Sequence, residues 1–225
     1  MSIHVLSSMA TRQVLGELAA TFESRAGLSV RVESVGGVDA AKRVRAGETF
    51  DVVVLASNVI DALIAEGYLT GERIDLVTSA IGIGVRAGAV HPDIGSADAV
   101  QQAVLAAGRI GYSTGPSGTY LAKLFEQWGI GDVVKDKTVV APPGVPVTSL
   151  VARGDVDLGF QQLSELAGDG VDVVGSLPDE IQSLTTFSGG LARTSSQPAA
   201  AQALLDFMTT PEVSDLKRRH LMDVP

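Results

Sequence analysis

Short apolar runs alternate with amphipathic stretches along the whole chain, a pattern that predicts βαβ units around mostly parallel sheets. Residues 3–6 read as a strand. After a loop at Ser7, Ser8 and Met9, the apolar positions Val14, Leu15, Leu18, Ala19 and Phe22 recur at helical spacing until Gly27. Residues 29–34 (SVRVES) alternate as a strand. Gly36-Gly37 then opens a helix over 38–46 that Gly47 ends, and 50–56 is a buried strand. Ser57 is placed to cap a helix over 58–66, with Gly67 at its end. Further strands are predicted at 81–86, 109–112, 138–141, 156–160, 171–174 and 184–187. Helices are predicted from Ser96 to 107, from the loop 113–118 through Trp128, over 147–153, over 198–208 and after Pro211. The glycines of 81–86 (IGIGVR) weaken strand packing but allow close backbone approach. No linker, fixed-period repeat or low-complexity tract interrupts this order.

The 225 residues make one large domain or two small lobes. Only 4% are aromatic, which leaves the core to small branched side chains. With 26 acidic against 17 basic residues the net charge is -9, so a nucleic-acid partner is not expected, since such binding draws on a dense Lys/Arg surface. The absence of cysteine excludes disulfides, thiolate nucleophiles and cysteine-ligated metals, and His4, His91 and His220 are too scattered for a local ligand motif. Neither a metal nor a cofactor is expected. The stretch MSIHVLSS reads as a strand and not as a secretory leader, and 52–56 falls far short of the ~20 apolar residues that span a bilayer. As written, the chain is expected in the cytoplasm, or in the periplasm or another extracytoplasmic space if a leader was removed.

Several strands run into a Gly/Ser/Pro loop and then a helix: at 7–9, 36–37, 57, 113–118 and 143–147. Helix N-termini carry unpaired N–H groups and about half a positive charge, so several at one strand-end crevice form an anion site without many lysines. The STGPSGTY stretch (113–120) is no phosphate loop of the GxxxxGK[ST] type, because Lys123 lies too far into the helix, and no GxGxxG fingerprint follows a strand. No GxSxG elbow supports triad hydrolysis.

The blocks FDVVVLAS, RIGYST with GPSGTYLAKLF, LVARGDVDLGFQQLSE and QPAAAQALLDFMTTPEV, after the opening strand and its serine loop, resemble the solute-binding proteins of ABC transporters. The branch resembled is the molybdate-binding-protein-like one, of type II periplasmic binding fold. The resemblance runs over nearly the whole chain. It implies an α/β protein of two Rossmann-like lobes joined by two crossover strands, with the ligand cleft between them. The crossings are expected near 81–87 and 186–192, with residues 1–80 plus 190–225 in one lobe and 81–189 in the other.

Carried over position by position, the resemblance implies ligand contacts from Ser7, Ser8 and Met9, from Gly36 and Gly37, from Ser117, Gly118, Thr119 and Tyr120, from Val147, and from Gln161 and Gln162. Molybdate binders often have a serine where Gly36-Gly37 stands and a tyrosine where Gln161-Gln162 stands. Amides donate as well as accept, and so suit an organic carboxylate better than a fully deprotonated oxyanion. Tyr120 reads equally as a ligand-facing hydroxyl or as an amphipathic surface residue. Arg12, Lys42, Arg43 and Arg86 are candidate anion clamps, Arg86 foremost because it is near the expected crossing.

The leading expectation is a monomeric, non-catalytic binding protein for a small anion, an organic carboxylate before an oxyanion, serving an ABC transporter membrane subunit by hinge closure. The alternative is an enzyme on the same scaffold. The resemblance includes stand-alone relatives that isomerise unsaturated tricarboxylates such as aconitate, chemistry for which Glu165 and Tyr120 are the first acid–base candidates.

Overall fold

The computed structural model describes residues 2–142 and 144–225. Met1 of the opening stretch and Pro143 of the expected 143–147 loop lie outside the described residues. The chain begins β1 (Ser2–Ser8), a 3-10 turn (Met9–Thr11), α1 (Arg12–Ala26), β2 (Ser29–Val35), α2 (Gly37–Arg45), β3 (Val52–Ala56), α3 (Ser57–Ala65) and β4 (Leu69–Ser79). It continues with β5 (Ile81–Arg86), α4 (Ala97–Ala106), β6 (Ile110–Tyr112), α5 (Pro116–Gln127), α6 (Gly131–Lys135), β7 (Thr138–Val140), α7 (Val147–Arg153), β8 (Leu158–Gln162), α8 (Leu163–Leu166) and β9 (Val171–Ser176). Last come β10 (Thr185–Ala192), α9 (Pro198–Thr209) and α10 (Ser214–Arg219).

These elements form two α/β lobes. One runs to Ser79 and resumes at Thr185; the other spans Ala80–Leu184. The second junction falls at 184/185 and not at 190, because β10 pairs along its length with β3 and β4. Likewise β5, expected to be a crossing strand, lies wholly in the second lobe's sheet, between β8 and β9.

The first lobe's sheet has the order β2-β1-β3-β10-β4, with β1, β2 and β3 parallel. Its central strand β3 (VVVLA) is buried on both faces, the mark of a strand covered by helices on each side. Alternation divides its side chains: Val52 and Val54 pack with Leu15, Leu18 and Phe22 of α1 and Leu204 and Leu205 of α9, whereas Val53 and Leu55 pack with Ala41 and Val44 of α2 and Ile60 and Leu63 of α3. The helices stop where small residues permit it, α1 at Gly27 in the left-handed conformation.

The second lobe's sheet has the order β7-β6-β8-β5-β9, with β6, β7 and β8 parallel and β5 antiparallel to its neighbours. The glycines of β5 and β8 admit close helix packing. A Cβ at Gly82 would stand 2.6 Å from a Leu163 methyl of α8, and one at Gly159 would stand 2.3 Å from a Val151 methyl of α7. Ser96 caps α4 by accepting from the Ala99 amide. Two elements escape the hydrophobic pattern. β4 (LTGERIDLVTS) is a polar edge strand secured by its pairing to β10, and α6 has only five residues. Among the described residues no helix is long and apolar enough to cross a membrane.

Candidate functional site

In each lobe the strand register gathers the predicted loops at one sheet edge. In the first lobe Ser8 lies opposite Val35, so the carboxyl ends of β1 and β2, and that of the parallel β3 beside them, lead side by side into α1, α2 and α3. This is the edge at which open α/β sheets bind ligands. The serines at the end of β1 differ sharply. The Ser7 hydroxyl is held at 2.7 Å by the Ser34 hydroxyl and at 3.3 Å by the Ser8 carbonyl. The Ser8 hydroxyl, 93% buried to judge by the residue's 7% exposure, has no hydrogen-bond partner among the described residues and does not cap the turn it precedes.

Gly37, the first residue of α2, stands beside Ser8: a Cβ there would lie 3.9 Å from the serine's own. Gly36 is the N-cap, and the Asp39 carboxylate folds back toward it, with Lys42 at 3.7 Å from Asp39. Met9 is partly exposed at the start of the 3-10 turn. Thr11 joins this cluster by donating to the Ser8 carbonyl at 3.1 Å. Neither Thr11 nor Ser34 was legible as a site residue, because their roles depend on turn geometry and on a strand pairing 27 residues apart.

In the second lobe Tyr112 lies opposite both Val140 and Phe160, so β6, β7 and β8 end together, and Ile81 at the start of β5 pairs with Gln162 at the same edge. Here α5 starts at Pro116, and Ser117 and Gly118 are buried in its first turn. Gly118 is required by packing: a Cβ would stand 1.7 Å from the Ser113 carbonyl oxygen. The Thr119 hydroxyl donates to the Gly115 carbonyl, and the Tyr120 hydroxyl donates at 2.9 Å to the Ile181 carbonyl. Tyr120 therefore ties α5 to the segment before β10, with its proton already engaged. The Val147 amide at the start of α7 donates to the Gln161 side-chain oxygen at 3.1 Å.

Gln161 and Gln162 are both buried as the last residues of β8, which runs two residues beyond the strand predicted over 156–160. Glu165 follows one turn later in α8. Burial pushes its carboxyl up to about 7, against the opposing pull of a hydrogen bond from Gln161. Among the described residues this is the carboxyl held nearest neutrality. It lies on the helix that leaves the same sheet edge as α5 and α7.

The basic candidates fall elsewhere or are engaged. Arg86 ends β5 at the opposite sheet edge, beside Gly154. Arg43 is paired with Glu33 and Glu48. Lys42 is exposed, and Arg12 opens α1 as an exposed side chain. Ser57 is the first residue of α3, with Ala56 at the cap position, and makes no capping bond.

A family model of bacterial extracellular solute-binding proteins matches residues 3–222. A protein named aconitate isomerase, from Pseudomonas sp, is 36% identical over 225 residues, covering 95% of this chain and 84% of that one. Among solved structures, the Azotobacter vinelandii periplasmic molybdate-binding protein superposes with a TM-score of 0.83 at 17% identity, over 99% of each chain. The sulfate-binding protein SubI from Mycobacterium tuberculosis H37Rv gives 0.79 at 18%, over 99% of this chain and 86% of its own. At those identities the structures speak for the fold alone.

Proposed function

The chain belongs to the bacterial extracellular solute-binding proteins, and from that premise we propose that it binds an unsaturated tricarboxylate and isomerises it by proton transfer. The observation that carries this reading is Glu165, a carboxyl raised to about 7 by burial at the ligand edge of its lobe. A group poised there is populated in both protonation states near neutral pH, as an acid–base catalyst requires. The relative named aconitate isomerase supports the same reading along nearly the whole chain.

The chemistry is a proton shift. Ionised Glu165 takes a proton from the methylene carbon that lies between a carboxylate and the double bond. The electron pair left behind spreads over three carbons and the flanking carboxylates, and the three-carbon unit can rotate before Glu165 returns the proton to the former alkene carbon. One C–H bond breaks and another forms, with no oxidant or second substrate. In the first lobe the Ser8 hydroxyl, without a partner among the described residues, and the first-turn amides of α2 offer donors to a carboxylate; in the second lobe the first-turn amides of α5 offer donors that would stabilise the delocalised charge. Asp39 beside the start of α2 weighs against a compact dianion held at that point, and favours a ligand whose charge is spread over separate carboxylates.

The test is to incubate the protein with cis- and with trans-aconitate in D2O and follow the proton NMR spectrum. Interconversion with deuterium entering the terminal carbons is expected, and Glu165→Gln binds without turnover. Calorimetric binding of molybdate or sulfate, with none of aconitate, would overturn the reading. The family match favours a second reading, delivery of a small anion to an ABC transporter membrane subunit. Tight aconitate binding with no turnover and no deuterium uptake would establish that one instead.

A further inference from the structure

We propose that Asp39 is a specificity-determining residue: its carboxylate stands at the start of α2, keeps compact dianions such as sulfate and molybdate from the donors there, and tolerates a single carboxylate group. The proposal rests on the reading of the ligand as a polycarboxylate and involves groups of the first lobe alone.

α2 opens with donors that its own ladder does not use. Gly36 is the N-cap, and the Ala40 N–H donates to the Gly36 carbonyl at 2.8 Å. The N–H groups of Gly37, Val38 and Asp39 precede that first bond of the ladder and have no carbonyl within the helix. Ser8 supplies a second, independent sign of a ligand at this place. Its hydroxyl has no hydrogen-bond partner among the described residues although the residue is only 7% exposed, and its Cβ lies 3.9 Å from the position a Cβ would take on Gly37. A buried hydroxyl left without a partner costs stability, and a bound acceptor would recover that cost.

Asp39 brings a negative charge to these same donors. Its Oδ2 stands 3.5 Å from the position a Cβ would take on Gly36, so the carboxylate folds back over the N-cap. Its ion-pair partner is Lys42, 3.7 Å away and 72% exposed. The other cations of α2 are turned to other carboxylates, Arg43 to Glu33 and Glu48, and Arg45 to Glu66. The charge of Asp39 is therefore weakly compensated, and an anion that reaches the first turn of α2 meets it.

The cost of that meeting scales with the charge delivered. Like unit charges about 4 Å apart in water weaken binding about fivefold, and a dianion squares the factor to about thirtyfold. A polycarboxylate presents one charge at the start of α2 and carries the rest on carbons farther away. Asp39 thus discriminates by charge density, and dissolved salt screens the effect.

The experiment is calorimetric titration of the full chain at low ionic strength with sodium sulfate, sodium molybdate and trans-aconitate, in the wild type, Asp39→Asn and Asp39→Glu. In Asp39→Asn the affinity for sulfate and for molybdate is expected to rise about tenfold or more, and that for trans-aconitate about fivefold or less, with both gains shrinking as salt is added. Asp39→Glu keeps the charge and keeps the discrimination. No gain for either oxyanion, or an equal gain for all three anions, would overturn the proposal and leave Asp39 as a stabiliser of its own helix. If the wild type binds no aconitate while Asp39→Asn gains the oxyanions, the proposed function fails and the role of Asp39 stands.

Discussion

The side chain of Gln182 reproduces a rung of β-ladder against the main chain of Ile81: the Ile81 N–H donates to its oxygen at 2.8 Å, and its nitrogen donates to the Ile81 carbonyl at 3.1 Å. The same amide also accepts from Ser183 and donates to the Leu177 carbonyl, which completes its hydrogen-bonding capacity. Ile81 is the second residue of the second lobe and Gln182 is two residues before its last, Leu184. One side chain therefore ties together the two segments by which the chain enters and leaves the second lobe.

Gln182→Ala is expected to lower stability by about 2 kcal/mol in urea unfolding, since several main-chain groups lose a partner together. Gln182→Glu keeps the acceptor but turns a carboxylate on two carbonyls, so its deficit is larger at pH 7 than at pH 4, where the protonated acid recovers a donor. An equal deficit at both pH values would refute the donor role.

Gly118→Ala is expected to cost about 3 kcal/mol or more, because the colliding atom is a main-chain carbonyl that cannot rotate away. Gly37→Ala serves as the contrast. The nearest atom there is 3.9 Å from the new methyl, and a gain of helix propensity leaves stability unchanged or slightly higher. Parallel thermal melts of the two variants check the difference.

The serine pair at the end of β1 separates binding from folding. Ser8→Ala removes a buried hydroxyl with no partner, so stability holds or rises, while calorimetric affinity for trans-aconitate falls about tenfold through loss of a hydrogen bond to a charged group. Ser7→Ala breaks the bond to Ser34 and lowers stability by about 1 kcal/mol. Melting curves and titrations that reverse this assignment would move the ligand contact to Ser7.

Asp51 predicts an acid limb of unfolding. Burial pushes its carboxyl up, but the His4 amide at 2.9 Å, the Ser195 hydroxyl at 2.6 Å and the Gln197 amide at 3.1 Å outweigh burial and hold it below the ordinary value of 3.8. A carboxyl lowered in the folded state stabilises it fully above that ordinary value, and the contribution fades as pH falls through the folded one. Asp51→Asn should accordingly melt well below the wild type at pH 7, and the gap should narrow as pH falls through the native Asp51 pKa.

Local chemistry in the sequence determined the alternation of strands and helices, most helix ends and the loops that follow the carboxyl ends of the parallel strands. Strand period, helix period, left-handed glycines and the Ser96 cap act over a few residues, and a single chain displays them. What only the tertiary structure decided is which of those groups remain available. Ser7 and Ser8 are neighbours of one residue type, yet the pairing of β1 with β2 occupies the first, while the second has no hydrogen-bond partner among the described residues. Tyr120 and Val147 read as donors to a ligand, but their hydrogen bonds go to the Ile181 carbonyl and the Gln161 side-chain oxygen, partners set by long-range packing. β4 was hidden because its order comes from β10, more than a hundred residues later. Glu165 is an ordinary glutamate in the sequence, and desolvation in the folded lobe raises its carboxyl to about 7. Hydrogen-bond commitment and desolvation are properties of long-range contact, so no spacing along the chain reveals them.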